Sequence, residues 1–281
     1  MNPRKLLMCK SLNGVKVKTF NQSTIFAALI VLCFQATAQP KIEAQPAMAV
    51  GDKWTYKFSN LGDRREPYTF THQAARLSAD STWIYGESKE PEARRPQFLT
   101  RWDNKRAKAV ESFMFNAKNP VQPGSRFANW QPQDDFVQFP LEVGKSWKVR
   151  FAFNDANVTS RTDYTVEVVA FEKIKVAAGE FDSFVLRGRG YWTCESGCSG
   201  SGRAEQTLWY APAVKREIKL TNKSWTTQSS PWNNNERELI AWEPAAALPA
   251  TFASAIATEA GKKDALLPDT VLPAAAGPTP K

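Results

Sequence analysis

Between residues 50 and 242 the chain is written in a period of two. In DKWTYKF, Trp54, Tyr56 and Phe58 fall on one face of an extended strand, and Lys53, Thr55 and Lys57 fall on the other. KSWKVRF repeats the arrangement, with Trp147, Val149 and Phe151 opposite Ser146, Lys148 and Arg150. Further segments of this kind are 68–77, 81–87, 97–102, 109–115, 163–174, 182–192, 204–210, 214–221 and 237–242. No stretch of helical length here carries the period of about 3.6 residues that an amphipathic helix needs. The pattern therefore predicts an all-β body of antiparallel strands, each burying one face.

The two quoted strands belong to a longer match, VGDKWTYKF from Val50 and VGKSWKVRF from Val143, which lie 93 residues apart. A Tyr-Thr pair comes after each, Tyr68-Thr69 and Tyr164-Thr165, and later each half has a strand with Leu and Trp, LTRW and TLWY. This spacing predicts an internal duplication: two related antiparallel sheets of about five strands, packed as a sandwich or an open barrel. Chance likeness between amphipathic strands is the competing account. The expected divisions are a first β half at 39–138, a second at 139–244, and an Ala/Pro-rich tail at 245–281 that reads as disordered. Residues 116–140 mix Pro, Gln and Asn with Trp130, Phe136 and Phe139, which suits a packed crossover between the halves.

Residues 1–38 differ from the rest. Arg4, Lys5, Lys10, Lys16 and Lys18 precede the apolar run IFAALIVLCF and then ATA before Gln39. Basic, apolar and small-x-small, in that order, is the pattern of a secretory signal peptide cleaved after Ala38. The apolar run is ten residues, against about 20 for a membrane span. The reading is thus an exported, periplasmic protein with no membrane span after cleavage. Cleavage removes five of the 37 basic residues and none of the 28 acidic ones, leaving 32 against 28. A surplus near +4 argues against nucleic acid as a partner. Cys194 and Cys198 remain, in a Gly/Ser-rich segment, and read as a local disulfide at a hairpin tip.

Between Phe139 and Trp242 four motifs occur in order: FPLEVGKSW, IKVAAGEFDSFVL, TLWYAPAVKREIKL and RELIAW. Together they resemble a group of uncharacterised proteobacterial periplasmic domains catalogued as a domain of unknown function. The resemblance implies a β-rich exported domain with no agreed ligand or reaction, so it assigns no functional residue. Read physically, Gly179 suits a hairpin turn, Pro212 a strand end, and Trp54 and Trp147 the core.

No nucleophile elbow, phosphate loop, dinucleotide fingerprint or metalloprotease helix is present. His72 is the only histidine, which excludes a multi-histidine metal site and reads as a strand residue facing solvent or a neighbour. No catalytic residue, metal ligand or cofactor is predicted. Paired carboxylates among Glu167, Glu172, Glu180, Asp182 and Glu205 would be needed for a glycan hydrolase. Two features favour binding instead. Arg94, Arg95, Arg101, Arg106 and Trp102 cluster in one segment that could meet an anionic glycan or lipid head, although a charged edge that repels strand addition has the same composition. Trp225 and Trp232 stand in the polar stretch TNKSWTTQSSPWNNN, which reads as an exposed recognition loop. The sequence thus points to a non-enzymatic periplasmic β-domain that binds or escorts an envelope component, whether lipid, polysaccharide or envelope protein. An envelope glycan hydrolase and a structural partner in an envelope assembly are the alternatives.

Overall fold

The computed structural model describes residues 40–249, apart from 63–64, 78–79, 92–95, 117–123, 133–134 and 156–157. The proposed signal segment 1–38, Arg94 and Arg95, and the tail beyond residue 249 lie outside the described residues. A short strand β1 (Lys41–Ile42) precedes a first run of six: β2 (Lys53–Asn60), β3 (Tyr68–Leu77), β4 (Ser81–Ser88), β5 (Gln97–Asp103), β6 (Lys108–Met114) and β7 (Arg126–Pro132). A second short strand, β8 (Leu141–Glu142), precedes a second six: β9 (Ser146–Asp155), β10 (Thr159–Val176), β11 (Gly179–Ser196), β12 (Ser201–Ala211), β13 (Arg216–Trp225) and β14 (Pro231–Glu243). A single turn of 3-10 helix, Pro212–Val214, is the only helical element among the described residues.

The all-β, antiparallel expectation holds. Each run is a meander in which successive strands pair, and the runs meet where β14 pairs β2 and where β7 pairs β9. The twelve strands form one barrel, and β1 pairs β8 in a separate two-stranded sheet. Each half has six strands rather than about five. The strand absent from the predicted segments is β7, inside the stretch read as a crossover, and β14 extends the predicted 237–242 back into the stretch read as a loop. Neither half keeps an unpaired edge, because the end strands of one half bond to those of the other.

The repeated V-G-x-x-W segments open their halves in the same way. Gly51 and Gly144 have φ of 91° and 90°, a region L side chains rarely adopt. Gly51 donates to the Ala74 carbonyl at 2.7 Å and Ala74 donates to that of Asp52 at 2.9 Å. Gly144 donates to Val168 at 2.8 Å and Val168 donates to Lys145 at 2.9 Å. A register shift accompanies each, at Ala74/Arg76 and at Val168/Ala170. The Tyr-Thr pairs, by contrast, are not equivalent. Tyr68 pairs Phe58, whereas Thr162 pairs Phe151, the corresponding Phe of the second copy, and Tyr164 pairs Val149.

Inward residues of both halves form one core containing Trp54, Tyr56, Val166, Val168, Leu186 and Ile218. The crossover contributes to it as its aromatic content predicts. Val137 is buried, and Phe136 packs edge-on to Tyr164 and over Gly188, where a Cβ would lie 2.6 Å from the Phe136 ring. On the opposite face of β3–β6 a smaller cluster forms from Ala75, Trp83, Tyr85, Leu99 and Phe113, with Leu248 packed against it. Gln73 Nε2 donates to the carbonyls of Ala246 and Ala247, which fixes the start of the Ala/Pro-rich segment.

Candidate functional site

The core does not fill the barrel. A cavity of about 940 Å³ remains, within the usual span for small-molecule sites of about 300–1,000 Å³. Its wall comes from the inward positions of β2–β6, β9 and β12–β14, with Phe136 and Val137 of the crossover closing one part. Phe58, Phe70, Ile84, Phe98, Trp102 and Leu208 make it mainly apolar. Small side chains, among them Ala107, Ala109 and Ser112, leave the space open.

Into this wall the chain sets two arginines. The 3-10 turn Pro212–Val214 and Lys215, at φ 66°, deliver Arg216 to the first position of β13. Arg216 is 3% exposed, and its guanidinium lies 4.5 Å from the Trp102 ring centroid and 5.0 Å from that of Trp54. Its Nη1 donates to His72 Nδ1 at 3.1 Å and its Nη2 to Glu217 Oε1 at 3.3 Å. Arg237, on β14, donates from Nη2 to the same Glu217 oxygen at 2.8 Å and stands 5.4 Å from the Tyr56 ring. Tyr56 donates its hydroxyl to the Glu217 carbonyl at 3.0 Å, and Trp54 Nε1 donates to that of Val214 at 2.8 Å. The Nε of Arg216 and of Arg237 are buried without an acceptor among the described residues.

The charge states result from these contacts. Burial alone would raise the Glu217 carboxyl, but the charges of Arg216 and Arg237 outweigh it and hold the carboxyl below its ordinary value. His72 is pushed well below 6.5, by burial first and by Arg216 and Arg237 second. It is therefore neutral, with Nδ1 accepting from Arg216. The cluster holds two positive charges and one negative. The other charged groups nearby are Lys215, bonded to Asp52 at 2.6 Å, Lys108, paired with Asp135, and Glu90, exposed on the cavity wall.

A depressed histidine has a measurable consequence. The unfolded chain takes up a proton at His72 as pH falls below about 6.5, whereas the folded chain does not until well below that. The stability present above pH 6.5 is then lost on acidification, at up to about 1.4 kcal/mol per pH unit. Urea unfolding between pH 7.5 and about 5.5 should show this slope in the native chain and a shallower one in His72→Gln. Equal slopes would contradict the assignment.

The structure separates the residues that the sequence grouped. Arg101 faces away from the cavity and makes two bonds to Glu111 Oε2, at 3.0 and 2.7 Å, while Trp102, next along β5, is buried inside. Arg106 lies 3.8 Å from Asp135. Trp225 and Trp232 sit on β13 and β14 rather than in a loop. Trp225 is half-buried with Arg203 over its ring, and Trp232 is 61% exposed, stacked on Trp192 at 5.5 Å beside exposed Tyr191. The Cys194–Cys198 disulfide is present at the end of β11. Glu167, Glu172, Glu180, Asp182 and Glu205 are all exposed, and none of them lines the cavity. No group of three potential metal ligands occurs among the described residues.

Arg216, Glu217, Arg237 and His72 escape motif reading, yet parity marks three of them. Arg216 is in phase with Ile218 and Leu220, Arg237 with Leu239, and His72 with Phe70, so each falls on an apolar face.

No family model matches the chain and no curated protein does, so the motifs of Phe139–Trp242 find no counterpart there. Solved structures similar to it include three. A Bacteroides fragilis protein described as exported and YmcC-like in fold is 10% identical, covering 72% of this chain and 100% of its own, with a TM-score of 0.45. A Parabacteroides distasonis protein described as a lipoprotein is 12% identical, covering 72% and 99%, also at 0.45. The Escherichia coli lipoprotein YmcC is 10% identical, covering 82% and 100%, at 0.38.

Proposed function

We propose that the chain is an exported periplasmic carrier that takes the apolar part of an envelope lipid into its barrel. The observation that carries this reading is the cavity of about 940 Å³ walled by aromatic and aliphatic side chains. A solvent-filled space of that size leaves apolar surface wet, and an acyl chain recovers about 0.8 kcal/mol for each methylene it buries. The secretory pattern of residues 1–38 and the disulfide support an oxidising, extracytoplasmic compartment for such a carrier. Lipid is favoured over polysaccharide because the inner wall of the space is mainly apolar rings and aliphatic side chains, and over an envelope protein because it is a recess rather than a face.

Native mass spectrometry of the chain purified without detergent from a periplasm should show a species heavier than the polypeptide. The extra mass should separate on denaturation, leaving a chain that begins at Gln39. Ala109→Phe puts a ring into the free space and should cut binding of an apolar naphthylamine probe by about tenfold or more, with the β-sheet circular dichroism unchanged. A bare chain, together with probe binding indifferent to this substitution, would overturn the reading.

A further inference from the structure

We infer that the cavity takes an anionic amphiphile, its carboxylate or phosphate head held by Arg216 and Arg237 beside Glu217. This rests on the reading of the cavity as a carrier site and names the chemistry of its occupant. Three observations lead to it. First, the charges of the buried cluster do not balance: two guanidiniums share one oxygen of one carboxylate, and His72 is neutral. Lys215 pairs with Asp52, and Lys108 shares Asp135 with Arg106, so neither group brings a negative charge that offsets the surplus. Glu90, exposed just beyond the end of β4, is the other carboxylate on the wall.

Second, both arginines keep an unsatisfied donor. The Nε of Arg216, on a side chain 3% exposed, and the Nε of Arg237 have no acceptor among the described residues. A buried N–H without a partner is costly, more so when it carries charge, and both side chains that carry these donors line the cavity. The rings of Trp54, Trp102 and Tyr56 soften the cost through cation–π contact. Rings supply no hydrogen-bond acceptor in the guanidinium plane. A carboxylate or phosphate supplies two, in the spacing that the guanidinium fork matches.

Third, the surroundings fix the rest of the molecule. Phe58, Phe70, Ile84, Phe98 and Leu208 continue the wall beyond the guanidiniums and offer nothing to a polar body. The head is therefore charged and small, and the body attached to it is apolar. A sugar would leave its hydroxyls against these rings, and an inorganic anion would leave most of the space empty.

Calorimetric titration of the mature chain, stripped of bound material by unfolding and refolding, tests this with three probes of equal chain length: laurate, dodecyl phosphate and dodecanol. At least one of the two anions should bind about tenfold or more tightly than the alcohol, and the tighter anion identifies the head. Arg237→Gln, which leaves Glu217 paired with Arg216, should bring anion and alcohol to within about threefold of each other while dodecanol affinity stays put. Dodecanol binding as tightly as both anions to the native chain would overturn the inference and leave the carrier reading standing. Failure of all three probes to bind would remove both. The native comparison needs no variant, so an Arg237→Gln chain that did not fold would still leave the inference open to refutation.

Discussion

Glu217→Gln should lower the free energy of unfolding by about 3–5 kcal/mol, the range for removing one partner of a buried ion pair. Glutamine keeps the volume and a hydrogen-bonding oxygen, so the loss isolates charge. Glu217 is 7% exposed and is the acceptor for both Arg216 and Arg237. Without its charge, two guanidiniums share an apolar interior with aromatic rings, neutral His72 and an amide oxygen, and no negative charge. The converse change, Arg237→Gln, should cost less, because Glu217 keeps Arg216 and the cluster becomes neutral. Denaturant midpoints at pH 7.5 give both numbers. A Glu217→Gln chain within about 0.5 kcal/mol of the native one would mean that the arginines find solvent or another acceptor.

Trp54→Ala should cost about 3–5 kcal/mol through the cavity it leaves, and about 1 kcal/mol more for the lost bond to the Val214 carbonyl. The side chain is 0% exposed, stacks on Trp242 at 5.1 Å, and supports one face of Arg216. Its counterpart in the repeat is the control. Trp147 is half-buried and donates to the Asp135 carbonyl at 2.9 Å under Lys145, so Trp147→Ala should cost about 1–2 kcal/mol. Equal losses would mean that Trp54 is less committed to the interior than its contacts say.

That asymmetry shows what a sequence of this kind discloses. Period-two alternation is a local property, and it locates β2, β9 and most of their neighbours because an exposed face and a buried face differ in composition. It cannot find β7 or the outer part of β14, where Asn, Gln and Pro carry no apolar phase. The repeated V-G-x-x-W segment predicts a common geometry that its two glycines share. It cannot predict that one Trp is fully buried and the other half-buried against the same core, which depends on what lies across the barrel. The residues of the candidate site escape for a related reason. A run of arginines in sequence looks like one patch, but adjacent strand residues point to opposite faces, so Arg101 and Trp102 are separated by the pleat itself. Arg216 and Arg237 are 21 residues apart and meet only because β13 and β14 are neighbours. Their apolar phase is in plain view, but a charged residue in phase with Ile and Leu is easily read as noise.

The pairing of Arg216 with Trp102 and Trp54 also makes the protein its own optical gauge. Trp102 lines the cavity with a cation 4.5 Å from its ring, and Trp54 has the same cation at 5.0 Å from the other side. A molecule that engages the guanidinium changes the field at both indoles and displaces water from one. Occupancy should therefore register in the tryptophan emission without a label, and the filled and empty populations of the cavity could be tracked in real time.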